Sequence, residues 1–425
     1  MLLYYICIWS LLIIKSITKE NVDFPIYGST ADGWHFVREL FQENFIEQRD
    51  LGASVAIYHQ GKLVVDLWGG WFNDRKSEPF DNNTLQLVFS TSKGLVAVAV
   101  ALCVQRGLLD YSALVTTYWP EYGQNGKENT TVADILSHRS GLPLDFSPFE
   151  HYLNWTTMVN KLEQQNPLWP PGTAHGYHTV TYGWLAGELV RRVDPKGRTL
   201  GEFIRDEIAK PLNIEFYIGL PPEEEHRVSP LYLQTNESQS SLDTYIAFNN
   251  PSAHQAEIPA ANGITNARSV AKLYASLMSD VDDFKYKRLL NEQILKIAIK
   301  SNTPENEIDL TSQLPTQFGM GFLLMDQNFP PLAPGIFGHI GAGGSVGFAA
   351  PAKNFSFAYV MNRIETDIQS GIDARYKSML IKIADALNNN NSSFQRRLSP
   401  YLFSVLLFFS INFLLRHNYL HYITN

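Results

Sequence analysis

The stretch Phe89-Ser90-Thr91-Ser92-Lys93-Gly94 decides the reading of this chain. It joins a strand-like approach (Leu85, Leu87, Val88, Phe89) to an apolar run from Leu95 to Val104 that holds no glycine or proline. That run has helical length and predicts a buried helix. Ser90 then opens the first turn, and Lys93, three residues on, stands on the same helix face. A serine and a lysine side by side at the positive end of a buried helix make a candidate nucleophile and base. Loss of hydration depresses the ammonium pKa there and favours a neutral, proton-accepting amine. The same letters also suit an N-cap serine and a solvated lysine. Partners elsewhere in the chain have to decide.

Working outward, the 425 residues are 45% hydrophobic and 18% charged, enough for a large core in one big domain or two intimately packed lobes. The net charge of −8 and the lack of a dense basic run argue against a nucleic-acid partner. Of the two cysteines, Cys7 lies in a leader-like segment and Cys103 in the apolar helix, so no disulfide framework is implied.

Leu2 to Ile14 is a mostly apolar run followed by Lys15, with Ser16 and Thr18 as small residues for cleavage, so residues 1–18 read as a signal peptide. Residues 388–400 read as a polar linker and 401–415 as a C-terminal hydrophobic anchor in the membrane. A lipid-anchor signal at Asn391-Ser392-Ser393 is the competitor, although the polar end from Arg416 to Asn425 counts against it. Sequons at Asn82, Asn129, Asn154, Asn236, Asn354, Asn390 and Asn391 favour the secretory pathway, and with it the cell surface or an endomembrane lumen.

Between these ends, residues 32–387 read as one catalytic domain. Asp32 to Gln48 has amphipathic helical spacing, and Ala53–Tyr58 and Lys62–Trp68 flank Gln60-Gly61 as a hairpin. Thr130 or Thr131 caps a short helix ending by Gly141, and helices follow at Tyr182–Arg192, Glu202–Leu212, Ser269–Met278 and Asn291–Ile299. Pro221 to Ser252 has no core signal and reads as a loop or lid. Strands are expected at Gln317–Phe322, Ser345–Ala349 and Ser356–Met361, before a last helix from Asp367 to Ala386. Strands at both ends with helices between suggest one sheet built from both termini.

Two further segments supply partners for Ser90. In Pro171-Gly172-Thr173-Ala174-His175-Gly176-Tyr177-His178-Thr179, the Tyr177 phenol is a candidate proton relay to a leaving group. In Gly338-His339-Ile340-Gly341-Ala342-Gly343-Gly344, glycines allow close approach of substrate to an edge backbone whose N–H groups can hold an oxyanion. The plain alternatives are a half-buried core tyrosine and a glycine-rich bulge.

The joint pattern resembles the serine β-lactamase-like family: class C β-lactamases, D-alanyl-D-alanine carboxypeptidases, serine esterases and animal β-lactamase-domain proteins. The resemblance spans about Asp32 to Leu387. It rests on Ser90-x-x-Lys93, Leu136-Ser-His-x-Ser-Gly-Leu142, Pro171-Gly172…Tyr177, Asn262-Gly-Ile264 and His339-x-Gly341 in place of a Lys-Thr-Gly box. It implies an α+β fold, a mainly antiparallel sheet flanked by helices plus an all-helical lobe; no cofactor is expected, and a metal-dependent hydrolase is set aside because the isolated His138, His175 and His178 lack a ligand arrangement. It further implies acyl transfer through an acyl-enzyme on Ser90, with Lys93 and Tyr177 handling protons and the N–H groups of Ser90 and Ala342 holding the oxyanion.

Two departures bear on substrate. Tyr177-His178-Thr179 lacks the family's orienting asparagine, and a hydroxyl at Thr179 reaches less far. His339-Ile340 replaces a permanent cation and a hydroxyl that bind a substrate carboxylate, and a mostly neutral histidine binds it weakly near pH 7. An esterase or other acyl hydrolase or transferase on small esters or amides is therefore expected, with weak or no β-lactamase activity. The competing class is a catalytically inactive, membrane-tethered binding or scaffold protein. His138 and Arg139 read as a turn buttressing the Ser90 helix rather than as catalytic groups.

Overall fold

The computed structural model describes residues 24–233, 245–365 and 372–388. The leader at 1–18, nearly all of the linker, the anchor at 401–415 and the sequons at Asn236, Asn390 and Asn391 lie outside them, as does part of the 221–252 stretch. Among the described residues no helix is long and apolar enough to cross a membrane. By its contacts the chain divides after Tyr376 into a large unit and a second that begins at Lys377.

In the large unit, seven antiparallel strands form the main sheet: β1 (Ile26–Thr30), β2 (Gly52–His59), β3 (Lys62–Gly70), β4 (Leu323–Leu324), β5 (Phe337–Ile340), β6 (Val346–Ala350) and β7 (Phe355–Met361). Their order is β1-β3-β2-β7-β6-β5-β4, so β2 from the start pairs with β7 from the end, with Phe357 opposite Ile57. The sheet is thus closed by both ends of the chain. Every residue of β7 is buried, as are the first seven of β2, which fits strands covered on both faces.

The covering helices include α1 (His35–Ile46), α2 (Ser92–Gln105), α3 (Val132–Leu136), α4 (Trp155–Gln164), α5 (Thr181–Val193), α6 (Ala267–Met278) and α7 (Glu292–Ala298). Residues 92–103 of α2 are all buried, the mark of a helix that is apolar all round. It ends as its sequence demands, with Gly107 at φ +71° just past the last turn. Helix α2 lies against α5 and α7, while α6 lies across β2, β6 and β7. Thr131 caps α3 in a reciprocal pair with Asp134, which stops well short of Gly141. The 200–212 helix carries a π turn over residues 205–209.

Two expectations need correction. Residues 317–322 do not form a strand; only Phe318 bridges to Leu323. Gly321 adopts φ +91°, and a Cβ there would lie 2.7 Å from the Ala97 Cβ of α2. Close approach to the buried helix bends this segment out of extended geometry. The closing helix runs over residues 374–388, later than expected from Asp367.

Candidate active site

Ser90 sits in a single 3-10 turn, Phe89–Thr91, that feeds directly into α2. The turn is held in an unusual conformation, because Phe89 has φ +43°. Such left-handed geometry at a bulky residue costs about 1–3 kcal/mol and persists only where neighbours fix it. Those neighbours are the rings of Tyr245 and Phe248, each with its centroid 5.4 Å from that of Phe89. From the other side, the Val88 N–H donates to the Gly263 carbonyl at 2.9 Å and the Gly263 N–H donates to Ser92 Oγ at 2.8 Å. A short sheet of Gln86–Leu87, Ile264–Thr265 and Phe216–Tyr217 fixes that register.

Lys93 is fully buried. Its Nζ lies 2.9 Å from Ser90 Oγ, 2.7 Å from the Thr179 carbonyl and 3.0 Å from the Ala260 carbonyl. None of these partners is a carboxylate, and burial holds its pKa well below the ordinary lysine value. Tyr177 closes the third side. Its ring centroid is 4.8 Å from Lys93 Nζ, and its phenol is close enough to the Ser90 side chain to be influenced by it. Burial raises the phenol pKa, with the Ser90 contact as a smaller opposing effect. Hydroxyl, amine and phenol therefore converge, although they come from segments 84 residues apart in sequence (Lys93 and Tyr177).

The Tyr177 segment is anchored from below by a buried acid. Asp309 takes the Tyr177 N–H at 3.1 Å and the Thr316 hydroxyl at 3.0 Å. His138, at φ +62°, accepts the His178 N–H through Nδ1 at 3.0 Å and places its ring 4.9 Å from that of Tyr177. His178 Nδ1 donates to the Gly176 carbonyl at 2.6 Å, while its Nε2 accepts the Leu142 N–H at 2.9 Å. Burial pushes the His178 pKa down to about 4 and that of His138 well below its usual range. Arg139 pairs with Glu307 at 2.5 Å and donates to the Gly172 carbonyl at 2.6 Å. The His138-Arg139 turn thus supports the tyrosine segment, a correction to the expectation that it buttresses the serine helix.

On the sheet side, His339 is buried in β5, and its ring centroid lies 6.0 Å from that of Tyr177. Burial, and after it the Lys93 amine, push its pKa down to about 3, so the ring is neutral at pH 7. Gly341 lies against the back of the serine turn, where an added Cβ would meet the Val88 carbonyl oxygen at 2.2 Å. Ala342 is exposed at the tip of the loop between β5 and β6. Two further residues shape this rim: Arg375, which the sequence did not single out, and Asn262, which it marked only as part of the Asn262-Gly-Ile264 motif. Buried Arg375 donates to the Gly343 carbonyl at 2.5 Å and pairs with Asp373 at 2.5 Å, fixing the loop that carries Ala342. Asn262 donates to the Ala253 carbonyl at 2.8 Å and the Ala256 carbonyl at 2.5 Å and accepts the Ile258 N–H at 3.0 Å, so it shapes the loop that presents Ala260 to Lys93. Thr179 is exposed beside Lys93, to which it offers its backbone carbonyl.

A separate polar cavity of about 530 Å³ lies by α6 and is lined by Tyr58, Glu215, Arg268, Lys272 and Asp282, not by Ser90, Lys93 or Tyr177. Its charges pair locally, Arg268 with Asp66 at 2.7 Å and Lys272 with Asp282 at 2.9 Å. Among the described residues no cluster of three or more His, Cys, Asp or Glu side chains is placed to hold a metal ion.

This fold and this site define a serine hydrolase of the β-lactamase superfamily. The family model described as Beta-lactamase matches residues 37–376, and the chain belongs to that family. It is 29% identical over 367 residues to the esterase/beta-lactamase LipL of Mycobacterium tuberculosis (strain ATCC 25618 / H37Rv), covering 80% of this chain and 83% of that protein. Among solved structures, a family VIII carboxylesterase superposes with TM-score 0.77 at 32% identity, covering 85% of this chain and 100% of the other. A penicillin-binding protein homolog from Caulobacter crescentus gives TM-score 0.72 at 35% identity, over 85% of this chain and 98% of the other.

Proposed function

We propose that the chain hydrolyses small-molecule esters, and amides less readily, through a covalent acyl-enzyme on Ser90. The single observation that carries this is the set of partners around Lys93. A neutral amine has two N–H donors and one lone pair. The carbonyls of Thr179 and Ala260 take the two donors, which leaves the lone pair for the Ser90 proton.

In the first half-reaction Ser90 Oγ forms a bond to the substrate carbonyl carbon as its proton passes to Lys93. The N–H groups of Ser90 and Ala342 hold the developing oxyanion. As the tetrahedral species collapses, the bond to the leaving group breaks. That group takes a proton by way of the Tyr177 phenol, which burial keeps protonated at neutral pH. In the second half-reaction water attacks the acyl carbon and gives up a proton to the same amine and phenol pair. The acid leaves and Ser90 is restored. Acyl transfer to another alcohol follows the same steps with that alcohol in place of water.

The neutral His339 and the hydroxyl at Thr179 give a substrate carboxylate or a ring amide little to bind, which supports ester cleavage over β-lactam cleavage. The relatives include an esterase/beta-lactamase and a carboxylesterase. Nothing in them favours a non-catalytic scaffold. The test is hydrolysis of p-nitrophenyl acetate and of a chromogenic cephalosporin by the purified full chain. Acetate turnover that vanishes in Ser90→Ala, with the cephalosporin cleaved far more slowly, is the expected result. Acetate turnover that survives in Ser90→Ala contradicts the proposal.

A further inference from the structure

The loops that anchor Tyr177 also carry an apolar surface that the chemistry so far leaves unused. Leu144 is 39% exposed, Phe146 88%, Leu168 61%, Ile308 46%, Leu310 48% and Leu314 61%. Single exposed apolar residues need no account, but a group of them around one feature does. Each of these lies in one of three loops tied directly to the segments that hold Tyr177. The Leu310 N–H donates to the His175 carbonyl at 3.0 Å, and the Asp309 N–H donates to the Leu314 carbonyl at 3.0 Å while the Asp309 carboxylate holds the Tyr177 N–H. The Leu168 N–H donates to the Gly141 carbonyl at 2.7 Å. The Leu142 N–H donates to His178 at 2.9 Å, two residues before Leu144. At the far end of that last loop, Phe149 packs its ring on Phe248, centroids 5.4 Å apart, and Phe248 packs in turn on Phe89 beside the nucleophile.

The electrostatics of the site agree with an uncharged occupant. Lys93 is held far below its ordinary pKa and His339 is neutral. The Arg139 guanidinium pairs with Glu307, and the Asp309 carboxylate is fully buried among N–H and hydroxyl donors.

We propose that this apolar rim binds the hydrocarbon chain of the substrate, so that the preferred substrates are esters of medium- to long-chain fatty acids taken one molecule at a time from water. The inference rests on the ester-hydrolase reading above. An acyl group bound to Ser90 emerges between the serine turn and the Tyr177 segment, and its methylenes lie along Leu310, Leu314 and Leu168 toward Phe146. A methylene half removed from water contributes roughly a 2-fold gain, so octanoate exceeds acetate by roughly 60-fold in kcat/KM.

The experiment measures kcat/KM for p-nitrophenyl acetate, butyrate, hexanoate and octanoate with the full chain, each ester below the concentration at which it forms micelles. The expected result is a rising series whose octanoate-to-acetate ratio falls about 10-fold in a Phe146→Ser/Leu310→Ser/Leu314→Ser variant, yet is kept in Ile297→Ser, an exposed apolar change on α7 outside these loops. A thermal unfolding curve shows whether the triple variant is folded. If it is not, the three single substitutions, each at an exposed side chain, take its place and lower the ratio by smaller steps. A flat or falling series, or an unchanged ratio in folded variants, overturns the inference while acetate turnover still supports the hydrolase reading. Activity that rises only once micelles or phosphatidylcholine vesicles are present assigns the rim to a lipid surface and likewise overturns it. Absence of Ser90-dependent acetate turnover removes the hydrolase reading itself.

Discussion

The base role proposed for Lys93 requires an uncharged amine, and its surroundings at the level of single atoms decide that. Two carbonyl oxygens and a hydroxyl satisfy the amine without supplying a negative charge. The folded pKa is therefore lowered, and kcat/KM should rise from acid pH along a limb set by Lys93, well below the ordinary lysine value of about 10.4. Lys93→Met is expected to remove that limb together with nearly all turnover, which a pH–rate profile checks. Tyr177→Phe keeps the ring packing on His138 and Phe318 but loses the phenol. Its kcat should fall by about 10²–10⁴-fold with little change in thermal stability. Ser90, Lys93 and Tyr177 were legible in the sequence because each sits in a short motif whose spacing the chemistry dictates. Arg375 was not, and the Asn262-Gly-Ile264 motif gave no role for Asn262, since both side chains act on backbone carbonyls. A lone arginine 32 residues beyond the Gly343 carbonyl it holds leaves no local pattern to read.

At the scale of elements, the site depends on how closely strand, turn and helix approach one another. Gly341 at the end of β5 lies over the Val88 carbonyl, and a methyl group there would sit 2.2 Å from that oxygen. Gly341→Ala should therefore destabilise the protein by about 1–3 kcal/mol and impair turnover more than binding, read from a denaturant curve and from kcat against KM. Asn262→Ala leaves the Ala253 and Ala256 carbonyls and the Ile258 N–H without their partner. A loss of about 2–4 kcal/mol is expected, together with a weaker hold on Lys93 through Ala260. The helices and the central hairpin were legible from periodicity and caps. The segment at 317–322 was misread because alternation of Phe and Met suggests a strand, while the glycines between them serve close contacts, Gly321 with Ala97 of α2 and Gly319 with the Ala298 carbonyl at the end of α7.

Across the whole molecule, burial of neutral bases couples stability to pH. His178 and His339 have folded pKa values lowered to about 4 and about 3, and that of His138 is also lowered. The unfolded chain binds more protons than the folded one in this range. The histidine contribution to stability is therefore full above about 6.5 and is lost as pH falls, by up to about 1.4 kcal/mol per pH unit for each ring. Lys93 has the same sign in a higher window, between its folded value and about 10.4. Melting temperatures from pH 7 to pH 4 should fall steadily. We also propose passage through the secretory pathway, since the sequons at Asn82, Asn129 and Asn154 are exposed. A mass shift of the chain from animal cells on endoglycosidase treatment is the expected outcome, and no shift contradicts it. The most direct test of the central claim is peptide mapping after reaction with a fluorophosphonate. The account predicts one phosphonyl adduct, on Ser90, with labelling lost in Lys93→Met. An adduct on another residue, or labelling of Ser90 at full rate without Lys93, would contradict it.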